Sequence, residues 1–108
     1  MGEGPAWSTM VQMAKLSDDE IHEALERVPG WSREGDAIVR TYELETFPAV
    51  IDFVVRIAGI AEEADHHPDL DIRYRQLRIV LSTHSEGGVT GADFQLAARI
   101  DGLLMPTD

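Results

Sequence analysis

Apolar residues recur at the spacing of a helix face in three segments of the chain. The first follows "LSDDEI", in which Ser17 and Glu20 have the spacing of a capping box. Pro29-Gly30 interrupts the pattern. We therefore predict a first helix over about residues 17–28.

The central segment, "TFPAVIDFVVRIAGIAEEAD", has the strongest helical pattern. Thr46 can cap it, Pro48 is tolerated in its first turn, and Pro68 stops it. A last helix begins at a second pair with capping-box spacing, Thr90 and Asp93. The predicted apolar faces are Phe47, Val50, Ile51, Val54, Ala58 and Ala61 in the central helix and Phe94, Ala97, Ile100 and Leu104 in the last. One side of each helix is therefore expected to face a core.

Between the helices the pattern changes to the two-residue period of β-strands. Residues 31–44 are predicted to form a hairpin around the turn Glu34-Gly35-Asp36. Both faces of its second strand carry apolar residues, so the pattern leaves the inward face open. Two more strands are predicted over about 70–75 and 77–84, with His84 at the end of the second. Ile72 and Tyr74 share a face of the third strand, and Leu77, Ile79 and Leu81 share the core face of the fourth.

The predicted order of elements is α-β-β-α-β-β-α. It indicates an α+β domain, a four-stranded antiparallel sheet with three helices packed on one face. We assign residues 16–108 to this single domain. Residues 1–15 contain Gly2, Gly4 and Pro5 and are expected to form a loose N-terminal arm that need not be ordered.

Charge and composition exclude several classes of function. The chain has 108 residues and a net charge of −11, which argues against a nucleic-acid surface and against anionic membranes. It has no cysteine, so disulfides and thiolate chemistry are excluded. No apolar run approaches the roughly 20 residues of a membrane span, and the N-terminus lacks the form of a signal peptide. We expect a cytoplasmic protein.

The stretch "EEADHHPDL" places His66 and His67 side by side at the end of the central helix. Three interpretations are open: a metal site with His84, an acid–base site, or a polar helix end where cations are favoured. Adjacent helical residues diverge by about 100°, which disfavours chelation of one ion. For acid–base chemistry, Glu62 lies four residues before His66 and could fix its tautomer, and Asp65 and Asp69 could contribute further.

Seven positions at fixed gaps connect these residues to a known family. The run Glu62-x3-His66-His67-Pro68-x5-Tyr74-x9-His84-x8-Asp93 spans 32 residues and resembles the signature of the pterin-4a-carbinolamine dehydratases. "LSDDEIHEAL", "GDAIVR", "LSTHSEGGVTGAD" and "LAARID" are also similar, so the resemblance covers about residues 16–103. It implies the α-β-β-α-β-β-α fold, and dehydration of 4a-hydroxytetrahydrobiopterin or a related pterin to quinonoid dihydropterin. It further implies that no metal or cofactor is used and that the protein is a homodimer or homotetramer.

The resemblance also implies roles for individual residues. His66 and His84 become the acid–base candidates, with His67 as a substrate-contacting member of the catalytic set. Glu62 would orient His66, and Asp93 would support His84. The residues expected against the pterin, besides the three histidines, are Asp65, Ser82, Thr83 and Ser85. Leu70, where many members have tryptophan, and Ser85, where some have glutamate, depart from the pattern.

A non-catalytic binding module is the competing class of function. Some members of the family serve as dimerisation partners of transcription factors, and related domains assist the assembly of a carboxylating enzyme. Such roles depend on helix surfaces and oligomer interfaces. A degraded histidine trio would favour this class, whereas here the trio is intact.

Overall fold

A four-stranded antiparallel sheet and three helices make up residues 14–104, the part of the chain that the computed structural model describes. The elements are α1 (Asp18–Leu25), β1 (Ser32–Glu34), β2 (Ala37–Glu43), α2 (Phe47–Ala64), β3 (Asp69–Arg73), β4 (Gln76–Leu81), a 3₁₀ turn (His84–Glu86) and α3 (Gly91–Gly102). The strands lie in the order β1-β2-β4-β3. This confirms the predicted α-β-β-α-β-β-α order and fold class.

Helix α1 begins at the predicted capping box. The Ser17 hydroxyl accepts from the Glu20 N–H at 3.2 Å, and the Glu20 carboxylate accepts from the Ser17 N–H at 2.8 Å. The helix ends at Leu25 rather than 28, because the chain tightens into i→i−3 bonds from Arg27 to Ala24 and from Val28 to Leu25.

The register of the sheet decides which face of β2 is inward. Ile38 pairs with Leu81 and Tyr42 pairs with Leu77, so these residues share the face that packs against the helices. The predicted core face of β4 is confirmed, since Leu77, Ile79 and Leu81 are fully buried.

The buried face of α2 differs in part from the prediction. Its buried residues are Val50, Phe53, Ile57 and Ala61. Phe47 and Ile51, assigned to the core from the pattern, are 45% and 37% exposed. The helix is apolar on more than one side, so its period alone could not choose the stripe that meets the sheet. In α3, Leu96, Ala97 and Ile100 are buried, whereas Leu104 lies beyond the helix and is 42% exposed.

Two predicted strand ends are wrong. β3 stops at Arg73, and Tyr74 lies in the following two-residue turn with a left-handed φ of 56° and an exposed ring. β4 stops at Leu81, so His84 does not end a strand but opens the 3₁₀ turn. Gly87 then takes a φ of 74°, which explains the glycine at this bend.

Backbone hydrogen bonds join the start of the described chain to the rest of the domain. Residues 1–13 of the predicted arm lie outside the described residues. Lys15 forms an isolated antiparallel bridge with Thr90, and the Leu16 N–H donates to the Val89 carbonyl at 2.8 Å. The chain is therefore joined to the domain from residue 15 onward.

A polar cluster around Asp101 ties the end of α3 to the sheet. Its carboxylate accepts from the Trp31 indole N–H at 3.0 Å, from the Arg40 guanidinium at 2.9 Å and from the Tyr42 hydroxyl. Burial, reinforced by the bond to Asp101, raises the pKa of Tyr42 well above its usual range. None of the helices in the described range is long and apolar enough to span a membrane.

Candidate active site

The end of α2 places His66 and His67 in different surroundings. Asp65 takes a left-handed conformation (φ 52°, ψ 43°), with its N–H bonded to the Glu62 carbonyl and the His66 N–H bonded to the Ala61 carbonyl. This is a Schellman-type ending. The side chain of His66 is only 15% exposed, whereas that of His67 is 56% exposed. The two rings therefore lie in different environments.

His66 contacts a fully buried carboxylate. Its Nε2 lies 2.5 Å from Oδ1 of Asp93, in the first turn of α3. The other oxygen of Asp93 accepts from the Thr83 hydroxyl and from the Thr90 N–H, each at 2.9 Å. The Thr83 and Thr90 hydroxyls are themselves 2.8 Å apart. One carboxylate thus joins the end of α2, the segment after β4 and the start of α3.

This contact defines which nitrogen of His66 is available. An ionised carboxylate only accepts hydrogen bonds, so we assign the proton of the neutral ring to Nε2. The Nδ1 atom then carries the lone pair. A neutral imidazole held in this way can accept a proton at Nδ1, and the carboxylate stabilises the imidazolium that results.

Two predicted pairings are different in the structure. Glu62 contacts His67 at 2.5 Å rather than His66, and Asp93 contacts His66 rather than supporting His84. The helix ends at Ala64, so the i+4 relation of Glu62 and His66 does not continue along a helix face. The Glu62–His67 pair is exposed, with side-chain exposures of 76% and 56%, and is expected to contribute little to stability.

His84 borders a shallow cleft at the end of the sheet. The cleft has a volume of about 340 Å³. It is lined by Asp36, Ala37, Asp69, Val80, Ser82, His84 and Gly87. The Ser82 hydroxyl donates to the Asp36 carbonyl at 2.7 Å. Within residues 14–104 the His84 ring has no hydrogen-bonding partner, so its nitrogens are available to a molecule in the cleft.

The structure brings some of the predicted site residues together and leaves others apart. His66, Thr83 and Asp93 form one hydrogen-bonded chain, and His84 follows Thr83 directly. Asp65 acts through its backbone at the helix end, and Ser85 is exposed in the 3₁₀ turn. In the part of the chain that is described, no three His, Cys, Asp or Glu side chains are placed to hold a metal ion.

Sequence reasoning missed Thr90 as a member of the buried network and Asp36 as a residue that lines the cleft. Asp69, considered from the sequence as a further contributor to the acid–base site, lines the cleft beside His84. The capping-box spacing of Thr90 and Asp93 already predicts that one carboxylate oxygen is held at the helix start. The second oxygen remains free for a partner from elsewhere. No local signal marks Asp36, which the pairing of β2 with β4 places beside Ser82.

Comparison with known proteins places this chain in one family. Residues 14–103 match the family described as pterin 4 alpha carbinolamine dehydratase. A relative from Roseiflexus castenholzii is 52% identical over 91 residues, which is 84% of this chain and 98% of that protein. One from Mycobacteroides abscessus is 55% identical over 89 residues, 82% of this chain and 95% of that protein. Both carry provisional names as pterin-4-alpha-carbinolamine dehydratases.

Two solved structures share the fold. A protein described as a transcriptional coactivator/pterin dehydratase from Brucella melitensis is 32% identical, with a TM-score of 0.81, over 84% of this chain and 99% of that one. A pterin dehydratase-like protein described as a RuBisCO assembly factor of the alpha-carboxysome is 19% identical, with a TM-score of 0.58, over 71% of this chain and 89% of that one. The second likeness concerns the fold alone. The α+β fold thus agrees with the sequence match: the chain belongs to the pterin-4a-carbinolamine dehydratase family.

Proposed function

We propose that the protein is a hydro-lyase that dehydrates 4a-hydroxytetrahydrobiopterin, or a related 4a-hydroxytetrahydropterin, to quinonoid dihydropterin and water. This reaction recycles the reduced pterin after aromatic amino acid hydroxylation. The observation that carries the proposal is the contact of His66 with the buried Asp93, joined through Thr83 to the segment that bears His84. Family membership supports the substrate class.

The reaction needs one proton donor and one proton acceptor. The C4a–O bond breaks as the leaving hydroxyl takes a proton from a histidinium and departs as water. A neutral histidine removes the proton of the neighbouring ring nitrogen, and the electron pair released forms the C=N bond of the quinonoid product. The protein requires no cofactor for this step, since protons are the only groups that it transfers.

The geometry supports a division of roles between the histidines. We assign His66 as the base, because the carboxylate of Asp93 holds its Nε2–H and leaves Nδ1 as the acceptor. His84 is then the acid at the edge of the cleft. His67, which contacts Glu62 at the exposed end of α2, is assigned to contact the pterin from the solvent side. The remaining substrate contacts are assigned to Asp65, Ser82, Thr83 and Ser85.

We further propose that the protein acts in the cytoplasm as a homodimer or homotetramer. Phe47, Ile51 and Val55 lie at i, i+4 and i+8 along α2, and their exposed fractions are 45%, 37% and 65%. A row of large apolar side chains on one helix favours burial against another surface.

A binding role is the second candidate function. It is supported by the name of the 32% identical Brucella structure, which describes a transcriptional coactivator as well as a pterin dehydratase. The exposed row on α2 would then receive another protein. A pull-down that enriches one partner equally with wild type and with His66→Ala would support this role, whereas loss of that partner on Val55→Glu would locate it on α2.

A stopped-flow assay with the 4a-carbinolamine tests the enzymatic proposal. We expect wild type to accelerate dehydration over the buffer reaction, and His66→Ala and His84→Ala each to lower kcat by about 10²- to 10⁴-fold. His22→Ala, an exposed histidine on α1, is the matched control and should retain full turnover. If wild type does not exceed the buffer rate, the protein is not a dehydratase of this substrate.

A further inference from the structure

A second, more apolar groove lies between α1 and α3. Its volume is about 440 Å³, within the range of pockets that bind other molecules. It is lined by Leu16, Glu20, Glu23, Ala24, Arg27, Val28, Gly91, Phe94, Gln95 and Ala98. None of the site histidines lines it, and the proposed reaction makes no use of it.

The N-terminal segment enters the domain at one end of this groove. Lys15 bridges to Thr90 in antiparallel fashion, and the next residue, Leu16, lines the groove itself. The chain that precedes Leu16 therefore starts beside Gly91, the first residue of α3. From Gly91 to Ala98 the helix rises by only about 10 Å. The thirteen residues before Ala14 are long enough to cover that distance even as an α-helix, with its rise of about 1.5 Å per residue.

The sequence of this segment suits an apolar groove. Residues 6–14, "AWSTMVQMA", carry no charged side chain in a chain whose net charge is −11. Trp7, Met10, Val11 and Ala14 recur at i, i+3, i+4 and i+7, the spacing of one helix face. This stripe is large and apolar, and its burial would be favourable.

We propose that residues 6–13 fill the groove of their own chain, with Trp7, Met10 and Val11 packed against the apolar lining of α1 and α3. Three properties identify this segment as the occupant: it is attached at the edge of the groove, it is long enough to reach across it, and it carries no charge. The family match begins at residue 14, so this covering segment is an addition to the family domain. The segment would pack against the start of α3, where Thr90 caps the helix and Asp93 lies in the first turn.

Disulfide trapping tests the proposal directly, because the native chain has no cysteine. The full-length Met10→Cys/Ala98→Cys variant places one thiol in the segment and one on the exposed, groove-lining position of α3. We expect an intramolecular disulfide under mild oxidation, seen by mass spectrometry and by a shift on non-reducing gels. The matched control is Met10→Cys/Arg73→Cys, whose second position lies at the end of β3 and does not line the groove.

Each outcome of the trapping experiment decides the proposal. At least tenfold more intramolecular disulfide in the Ala98 pair than in the Arg73 pair supports it. Equal trapping in both pairs, or none in either, overturns it. A covalent dimer in the Ala98 pair also overturns it, because the segment would then fill the groove of a second copy.

Tryptophan quenching gives an independent measurement without cysteines. The chain has two tryptophans, Trp7 and the buried Trp31, so the difference between wild type and Trp7→Phe isolates the signal of Trp7. We expect this signal to be protected from acrylamide, and Ala98→Glu to raise its quenching severalfold. Thr41→Glu, which adds the same charge on the open face of the sheet, should leave it unchanged. If Ala98→Glu does not alter the quenching of Trp7, the segment lies elsewhere.

Discussion

His66 and Asp93 are 27 positions apart in the sequence, yet Nε2 of the histidine lies 2.5 Å from Oδ1 of the aspartate. The aspartate is fully buried at the start of α3, and the histidine lies just past the end of α2. The orientation of the proposed base therefore depends on how two helix ends are held against each other.

Changing Asp93 to asparagine should impair catalysis more than folding. The amide oxygen can still accept at the helix start, but an amide cannot stabilise the His66 imidazolium as a carboxylate does. We expect kcat to fall by about 10²-fold or more, measured by stopped-flow dehydration, with an unchanged circular dichroism spectrum. Thr90→Ser, which keeps the hydroxyl of the network, is the control and should stay within a few-fold of wild type. Wild-type turnover in Asp93→Asn would exclude Asp93 as the residue that positions His66.

Changing Glu62 to glutamine should have a much smaller effect. Glu62 contacts the exposed His67, and an exposed ion pair contributes about 0–1 kcal/mol. We expect the free energy of unfolding to change by less than about 1 kcal/mol. The loss of kcat should be well below that of Asp93→Asn. If instead Glu62→Gln is the more damaging variant, Glu62 orients the base, as the i+4 spacing in the sequence predicts.

Stability should fall at alkaline pH because of Tyr42. Burial and the bond to Asp101 raise its pKa in the folded protein, whereas a tyrosine in the unfolded chain ionises near pH 10. The contribution of protonated Tyr42 to the free energy of unfolding is therefore fully present below about pH 10. It is lost as the pH rises toward the folded-state pKa, by up to about 1.4 kcal/mol per pH unit.

Urea unfolding between pH 8 and pH 11 measures this dependence. In Tyr42→Phe the free energy of unfolding should depend less on pH over this range. The variant should also be less stable at neutral pH, although Trp31 and Arg40 continue to donate to Asp101. The matched control is Tyr74→Phe, because the Tyr74 ring is 72% exposed. If Tyr42→Phe loses as much stability as wild type between pH 8 and pH 11, Tyr42 is not the cause of the alkaline loss.

The left-handed residue at the end of α2 should accept glycine. Asp65 has a φ of 52°, where an L-residue is strained and glycine is not. Asp65→Gly should leave the free energy of unfolding unchanged or raise it by up to about 1 kcal/mol, measured by urea unfolding. Asp65→Ala should lower it by about 1 kcal/mol.

Ala64→Gly tests the same kind of change one residue earlier. Ala64 is the last helical residue of α2, so glycine there should destabilise by up to about 1 kcal/mol. A loss in Asp65→Gly equal to that in Ala64→Gly would show that the left-handed conformation is not retained. Asp65→Asn, which tolerates this conformation, isolates the carboxylate's effect on turnover.

Signals between residues close in sequence predicted the fold well. The capping boxes at Ser17–Glu20 and Thr90–Asp93 and the buried stripe of β4 are all present as predicted. These features depend on contacts three or four residues apart, or on the two-residue alternation of a strand, and the sequence contains them entirely. The predicted ends of β3 and β4 were wrong. Tyr74 continues the alternation of Ile72 although it lies in the turn, and the alternation in β4 does not place its end at Leu81 rather than at His84.

The sequence by itself determined the order of elements, the family resemblance and the histidines and acids that form the candidate site. Only the tertiary structure decided which acid meets which histidine. It pairs His66 with Asp93 and His67 with Glu62, against the spacing-based expectation. It also decided that Phe53 and Ile57, rather than Phe47 and Ile51, face the sheet from α2. The contact of His66 with Asp93 and the packing of α2 on the sheet join segments distant in the chain, and no short-range pattern encodes how one helix is rotated and placed against its neighbours. Glu62 and His67 are only five positions apart, but they meet because α2 ends at Ala64 and the chain turns there.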